Sequence, residues 1–299
     1  MRVTDNMIHM GLTGNIQKAL ERLNTDYTRL STGKMINRPS DDPVGLIMGM
    51  RLKKGITEGA QYKENANAAL ALLNSSDYTL DEMTKVLHRL SELAVKGAHG
   101  TNDEISLEAM AKEVEELRNH LYHIANSKQE NTYLFAGEKT NQPAYRLDNT
   151  VTPPAVIWQG SSQPLKAEVG TGITMEISIT GDRIFGDLAN DFFAQLNQFI
   201  EHLRNEDYDA ISGTDIPNIQ NRLDEVLKIR GEIGAKVNRI EMNIERMDLM
   251  NINFKELLSK IEDTDYAEVT MNLKMQESVY QAALATSARI MQNTLVNYI

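Results

Sequence analysis

Two adjacent carboxylates, Asp41 and Asp42, sit between prolines in Arg38-Pro39-Ser40-Asp41-Asp42-Pro43. Paired carboxylates can hold a metal or share a proton. Neighbouring residues on a helix point in different directions, however, and no third ligand lies nearby in sequence. The same residues have a structural use. Aspartate is a favoured N-cap and proline a favoured first helical residue. Gly33 suits the positive φ that closes a helix, and Arg38-Pro39-Ser40 forces an extended piece. Leu30 to Gly45 therefore reads as a capped hinge, with Arg38 free to reach a neighbouring carboxylate; salt bridging between subunits is compatible with it. His120 and His123 are spaced to touch one ligand on a helix. With no cysteine or further histidine near them, a solvated helix face is expected. Phosphate loops, G-x-S-x-G elbows and H-E-x-x-H are absent. The expectation is a protein that is not an enzyme, with no catalytic, cofactor-binding or metal-binding residues.

Composition favours long helices. The 299 residues are 41% hydrophobic but only 6% aromatic, with seven prolines and no cysteine, so uninterrupted helices are possible and disulfides are not. The first sixty residues carry nine Lys/Arg against six Asp/Glu, within a chain of net charge −11. Near-neutral ends suit burial against protein, and the acidic body argues against nucleic acid. The N-terminus has no apolar core or cleavage site of a secretory signal, and no apolar run is long enough to span a membrane. Export, if it occurs, is expected to use an uncleaved route.

Heptads define the architecture. From Ile216 to Ile261, apolar residues recur at alternating spacings of three and four, and only Arg230 and Asn251 interrupt the series. Such a period implies a supercoiled helix with one buried seam, roughly 70 Å long. Asn251 either fixes register in that seam or faces solvent at its edge. A second series runs Ala66, Ala69, Leu73, Ser76, Leu80, Met83, Leu87, Leu90, Ala94; a third runs from Leu107 to Ile124. The short loop between them makes these two helices antiparallel neighbours, and Thr101 with Glu104 has capping-box spacing for the start of the third series.

Residues 137–186 contain β-branched, alternating stretches, AVIWQG, PLKAEV and ITMEISIT, with glycine-rich breaks; they read as strands and hairpins. Phe192, Leu196, Phe199 and Leu203 resume a helix. The ends are helical too. Ile16, Leu20, Leu23, Tyr27 and Leu30 form one stripe, and Leu273, Tyr280, Leu284, Met291 and Leu295 another. Asp265 and Glu268 have capping spacing for this last helix. The expected fold is mainly α, an elongated antiparallel coiled-coil bundle with nested terminal helices and a small β-rich insertion. Three domains are expected: residues 1–40 with 264–299 for assembly, 41–136 with 187–263 as a helical rod, and 137–186 as a β-rich outer domain. The terminal stripes have little in the chain to cover them except each other, so they are expected to order on assembly.

The segment from Leu30 to Leu52 resembles the N-terminal signature of the bacterial flagellin superfamily, L-S-[ST]-G-x-x-I-N-x-x-x-D-D-x-x-G. Leu30, Ser31, Thr32, Gly33, Ile36, Asn37, Asp41, Asp42 and Gly45 match it. AALATSARIMQNTL resembles the family's C-terminal helix, and NTYLFAG its run into an outer domain. RPSDDP, the ending NTLVNYI and the small insertion resemble the subtype that joins flagellar hook to filament. The resemblance implies a structural subunit exported through the flagellar type III apparatus to the outside of the cell. It implies copies of itself in a ring, hook-associated protein 1 on one side, flagellin on the other, and an export chaperone covering the C-terminal helix. A filament flagellin, or an unrelated coiled-coil scaffold module, are the alternatives. In the leading reading, apolar burial at the terminal helices drives stacking and the charged residues set register.

Overall fold

The computed structural model describes residues 5–100, 102–148, 154–186 and 191–296. Four helices carry most of the chain: α1 (Asp5–Thr32), α2 (Pro43–Gly97), α7 (Ile216–Glu262) and α8 (Tyr266–Val296). Between α2 and α7 come α3 (Glu104–Ala125), α4 (Gly181–Phe185), α5 (Phe192–Arg204) and α6 (Tyr208–Ala210). The chain divides into two compact units: Met1–Glu58 with Leu249–Ile299, and Gly59–Asp248. They are called the terminal and central units below.

The central unit is built on the heptad residues. Ala66, Ala69, Leu73, Ser76, Leu80, Met83, Leu87, Leu90 and Ala94 are all fully buried, as a seam on one face of α2 requires. Ser76 is tolerated because its hydroxyl donates to the Leu72 carbonyl. On α3, Leu107, Met110, Val114, Leu121 and Ile124 are buried. Arg89 meets Glu113 at 2.7 Å and His120 meets Glu82 at 3.3 Å; partners that advance on one helix as they recede on the other make α2 and α3 antiparallel. The seam of α7 packs into the same core through Ile219, Val226, Ile233 and Ile240. Its one charged interruption is resolved: Arg230 reaches Asp77 at 3.0 Å and Asp81 at 2.9 Å on α2.

The helix cap at α3 corrects an expectation. Asp103, with extended φ −84° and ψ 159°, stands at the N-cap, so Glu104 is the first helical residue and not the third. Thr101 lies outside the described residues. Asn102 explains the shift, because its amide turns back to the carbonyls of Lys96 and His99 and closes the end of α2. That leaves Asp103 to begin the next helix.

The β-rich stretch forms three separate antiparallel hairpins. The first, β1 (Lys128–Gln129) with β2 (Thr132–Tyr133), precedes the predicted insertion. The second pairs β3 (Tyr145–Asp148) with β4 (Ala155–Trp158). The third pairs β5 (Lys166–Gly170) with β6 (Ile173–Glu176) through a turn where Gly172 takes φ +69°. Only the first half of ITMEISIT is strand; Ile177–Thr180 is buried and enters α4. Isolated hairpins are marginal in water, and these lean on helices. Val169 and Glu168 accept hydrogen bonds from Asn243 of α7 and Asn65 of α2. Tyr145, Trp158, Phe185 and Phe193 form an aromatic cluster beside them, with ring centroids 5.0–5.5 Å apart.

A five-residue π-helical turn, Ile211–Asp215, leads into α7. Asp215 is buried and lies 2.8 Å from His202 of α5. Burial raises its carboxyl, and the His202 contact opposes that shift.

Candidate assembly surface

The hinge lies in the terminal unit and its geometry follows from local capping. Helix α1 stops at Thr32 because Gly33 takes φ +69°. A side chain there is doubly disfavoured, since an added Cβ would lie 2.5 Å from the Tyr266 hydroxyl. Asp41 then folds the extended piece back: its Oδ2 accepts from the backbone N–H of Arg38 at 2.8 Å and of Asn37 at 3.0 Å. Those two bonds hold its carboxyl below the usual carboxylate range. Asn37 donates in turn to the Lys34 carbonyl at 2.7 Å. Asp42 is the N-cap of α2, accepting from Val44 and Gly45, each at 3.0 Å, and Pro43 occupies the first helical position. The carboxylates thus share no ligand; each binds backbone. Arg38 and Ser31 are exposed, Leu30 and Gly45 are half-buried, and Ile36 is buried. An added Cβ on Gly45 would come 2.7 Å from Ile36 Cδ1.

This hinge is fastened to the link between α7 and α8. The Met35 N–H donates to the Glu262 carbonyl at 2.7 Å and the Thr264 N–H to the Gly33 carbonyl at 3.0 Å. The Glu262 side chain, only 6% exposed, takes the ammonium groups of both Lys34 and Lys53. Burial pushes the Glu262 carboxyl up, but the two lysines more than offset it and leave it below its ordinary value. The same contact raises Lys34. Sequence reasoning missed this clasp, because no local pattern connects Lys34, Lys53 and Glu262. On the far side of the link, Asp265 caps α8 as its spacing predicted, accepting from Ala267 at 2.9 Å and Glu268 at 3.2 Å.

Helices α1 and α8 pack on each other. Tyr27 donates to Glu277 at 3.0 Å, and Lys274 meets the same carboxylate at 2.9 Å. These bonds raise the Tyr27 phenol and lower the Glu277 carboxyl. The predicted stripes are only partly covered by this pairing. Leu273 is buried and Ile16, Leu23 and Tyr280 are half-buried, whereas Leu20 is 51% exposed, Tyr27 47% and Leu284 43%. The side chains of Met291 and Leu295 lie outside the described residues.

The remaining apolar surface is unevenly distributed. Among the described residues, 24 large hydrophobic side chains are exposed, and 18 of them lie in the terminal unit, which is the smaller of the two. Single exposed apolar residues are ordinary, but such a concentration marks an interaction surface. Val44, Ile47 and Met48 crowd the first turns of α2. Met271, Met275 and Val279 recur every four residues on α8, away from the face that holds Val269, Leu273 and Tyr280. His120 and His123 bring no third ligand with them; among the described residues no cluster of three or more His, Asp or Glu could hold a metal, and no helix is long and apolar enough to cross a membrane.

Comparison with known proteins agrees with this arrangement. The family model for the bacterial flagellin N-terminal helical region matches residues 3–140, and that for the flagellin C-terminal helical region matches residues 216–299. The chain is 24% identical to flagellar hook-associated protein 3 of Escherichia coli, over 85% of this chain and 86% of that one. It is 27% identical to a flagellin of Halalkalibacterium halodurans, over 95% and 91% of the two chains. The solved structure of a flagellar hook-associated protein from Vibrio parahaemolyticus is similar in fold, with a TM-score of 0.67 at 22% identity, covering 75% of this chain and all of that one. With both helical end regions matched and the same fold found in a solved relative, this chain belongs to the bacterial flagellin family, whose members are structural parts of the flagellum.

Proposed function

We propose that this protein is a junction subunit standing between the flagellar hook and the filament, where it joins copies of itself through its terminal unit. The observation that carries an assembly role is the crowding of exposed apolar side chains into residues 1–58 and 249–299. Burying each against a neighbour contributes about 1.5–3 kcal/mol before ordering costs. What directs the reading to the junction is the end-to-end similarity to hook-associated protein 3. Hook-associated protein 1 and flagellin are the neighbours this role requires on either side, with a ring of its own copies between them. The subunit works outside the cell after export by the flagellar apparatus, and a chaperone shields the C-terminal helix beforehand.

The role is structural and not catalytic. Its support is that Asp41 holds the backbone of the hinge turn, Asp42 caps α2 and Glu262 of the clasp takes two lysines. The hinge residues from Leu30 to Gly45 set how the terminal helices are presented, and the stripes of α1 and α8 supply the packing.

A second reading, a filament subunit, draws on the 27% identity to a flagellin over nearly the whole chain. One measurement separates them. Purified junction protein adds to hooks that carry hook-associated protein 1 and stays short; a filament subunit polymerises without limit. Cells lacking the gene make hooks without filaments in either case, so polymerisation decides. Removing residues 1–30 or 270–299 is expected to abolish addition while residues 59–248 keep their circular dichroism signal. Addition of either truncated chain to hooks contradicts the proposal.

A further inference from the structure

The two units treat methionine in opposite ways. In the central unit Met83, Met110, Met175 and Met247 are buried, between 0% and 7% exposed, and Met242 alone of the described methionines there is exposed. In the terminal unit every methionine whose side chain is described is exposed, eight in all. Met7 and Met10 lie on α1, and Met48 and Met50 on the first turns of α2. Met271 and Met275 are 67% and 55% exposed on the outer face of α8. Met35 in the hinge and Met250 in α7 complete the set. Flexible thioethers suit a surface that must fit a neighbour, and they have a chemistry that leucine lacks.

We propose that these exposed methionines are sulfoxidation sites whose modification blocks assembly of the free subunit. The inference rests on the assembly reading above. A hydroperoxide is the oxidant: the methionine sulfur lone pair attacks one peroxide oxygen, the O–O bond breaks, and with hydrogen peroxide the second oxygen leaves as water. Sulfur loses two electrons and the peroxide gains them. The product sulfoxide is polar and chiral, and it carries a strong hydrogen-bond acceptor onto a surface that must become dry. The chain has no cysteine, so no thiol in the protein intercepts the oxidant first. The step is reversible by a methionine sulfoxide reductase, where a dithiol becomes a disulfide and the oxygen leaves as water. Assembly covers the thioethers, so the exported but unassembled subunit is the vulnerable form.

The test starts with full-length monomer treated with hydrogen peroxide and digested for mass spectrometry. The eight exposed methionines are expected to gain oxygen well before Met83, Met110, Met175 and Met247; equal rates overturn the site. The treated protein is then offered to hooks that carry hook-associated protein 1, where addition is expected to fall roughly tenfold or more, since each tenfold corresponds to about 1.4 kcal/mol of lost binding. Reductase with dithiothreitol is expected to restore it. Undiminished addition by oxidised protein overturns the block. Replacing all eight residues by leucine (Met271→Leu, Met275→Leu and the rest) removes the oxidisable sulfur and is expected to make addition peroxide-resistant; equal loss in this variant overturns the assignment to these residues. Should that variant not fold, Met242→Leu decides the assignment: addition that stays peroxide-sensitive in it keeps the loss with the terminal unit, and addition that becomes peroxide-resistant overturns it. Failure of untreated protein to add to hooks that carry hook-associated protein 1 sinks the junction reading, and the oxidation map still decides whether the site exists.

Discussion

Lys34 and Glu262, 228 positions apart in sequence, meet at 2.9 Å and tie the turn after α1 to the turn before α8. Lys53 shares the same carboxylate. Glu262 is the shielded member, and both lysines are about half exposed.

Replacing Glu262 by Gln is expected to cost the terminal unit about 1–2 kcal/mol, the range for hydrogen bonds to charged groups reduced for partly exposed partners. The pH dependence has a definite sign. The folded Glu262 carboxyl lies below its ordinary value of 4.5, so its contribution is complete above that value and is lost as pH falls through the folded one. Lys34 lies above its ordinary value of 10.5, so its part is complete below that value and is lost as pH rises through the folded one. The protection factors of the Met35 and Thr264 amides, whose N–H groups bridge the two turns, are expected to fall in the variant and in acid. Unchanged protection would remove the clasp from the account.

Gly33→Ala is expected to destabilise the terminal unit by at least about 1 kcal/mol, because φ is +69° and the new methyl meets the Tyr266 hydroxyl. Adding Tyr266→Phe removes the steric part and leaves the backbone part. A thermal melt of the double variant should therefore fall between wild type and Gly33→Ala; coincidence with the single variant would assign the whole cost to the backbone.

Arg230 and Asp77 should show a coupling of about 0.5–1 kcal/mol in a double-mutant cycle, since the pair is well aligned but partly exposed. Burial at Val226 and Ile233 on either side holds the arginine in place. Urea denaturation of wild type, Arg230→Met, Asp77→Asn and the pair gives the number. Additive effects would mean the ion pair only decorates the seam.

Asn251→Leu is expected to raise stability by about 1 kcal/mol. Its Oδ1 is buried without a hydrogen-bond partner, and an acceptor stripped of water costs more than an apolar replacement. The measurement is the urea midpoint of the terminal unit's transition. A lower midpoint would show that the amide is paid for by register within the α7 seam.

The helices were legible because their signals are local and repeated. Every predicted seam position of α2 is buried, and the two interruptions in α7 mark a helix-to-helix ion pair at Arg230 and an unpaired side-chain oxygen at Asn251. The hinge was legible for the same reason: Gly33, Asp41, Asp42 and Pro43 act within a few residues of themselves. The α3 cap was misread because Asn102 competes for the preceding carbonyls, a choice that spacing alone does not reveal. The two-residue strands at Lys128 and Thr132 are too short to show a period. The clasp was invisible because Lys34, Lys53 and Glu262 are ordinary charges until the chain brings them together, and the imbalance of exposed side chains is a property of the folded surface.

The Asp41 turn and the Glu262 clasp differ in how much chain each must enclose. The turn closes over four residues, and the cost of ordering so short a loop is repaid at once by its own backbone bonds. The clasp must wait until residue 262 has been brought to residue 34, so it is expected to form late. A polypeptide built this way acquires its corners early and its closure last, and it stays unlocked for as long as its far end has yet to arrive.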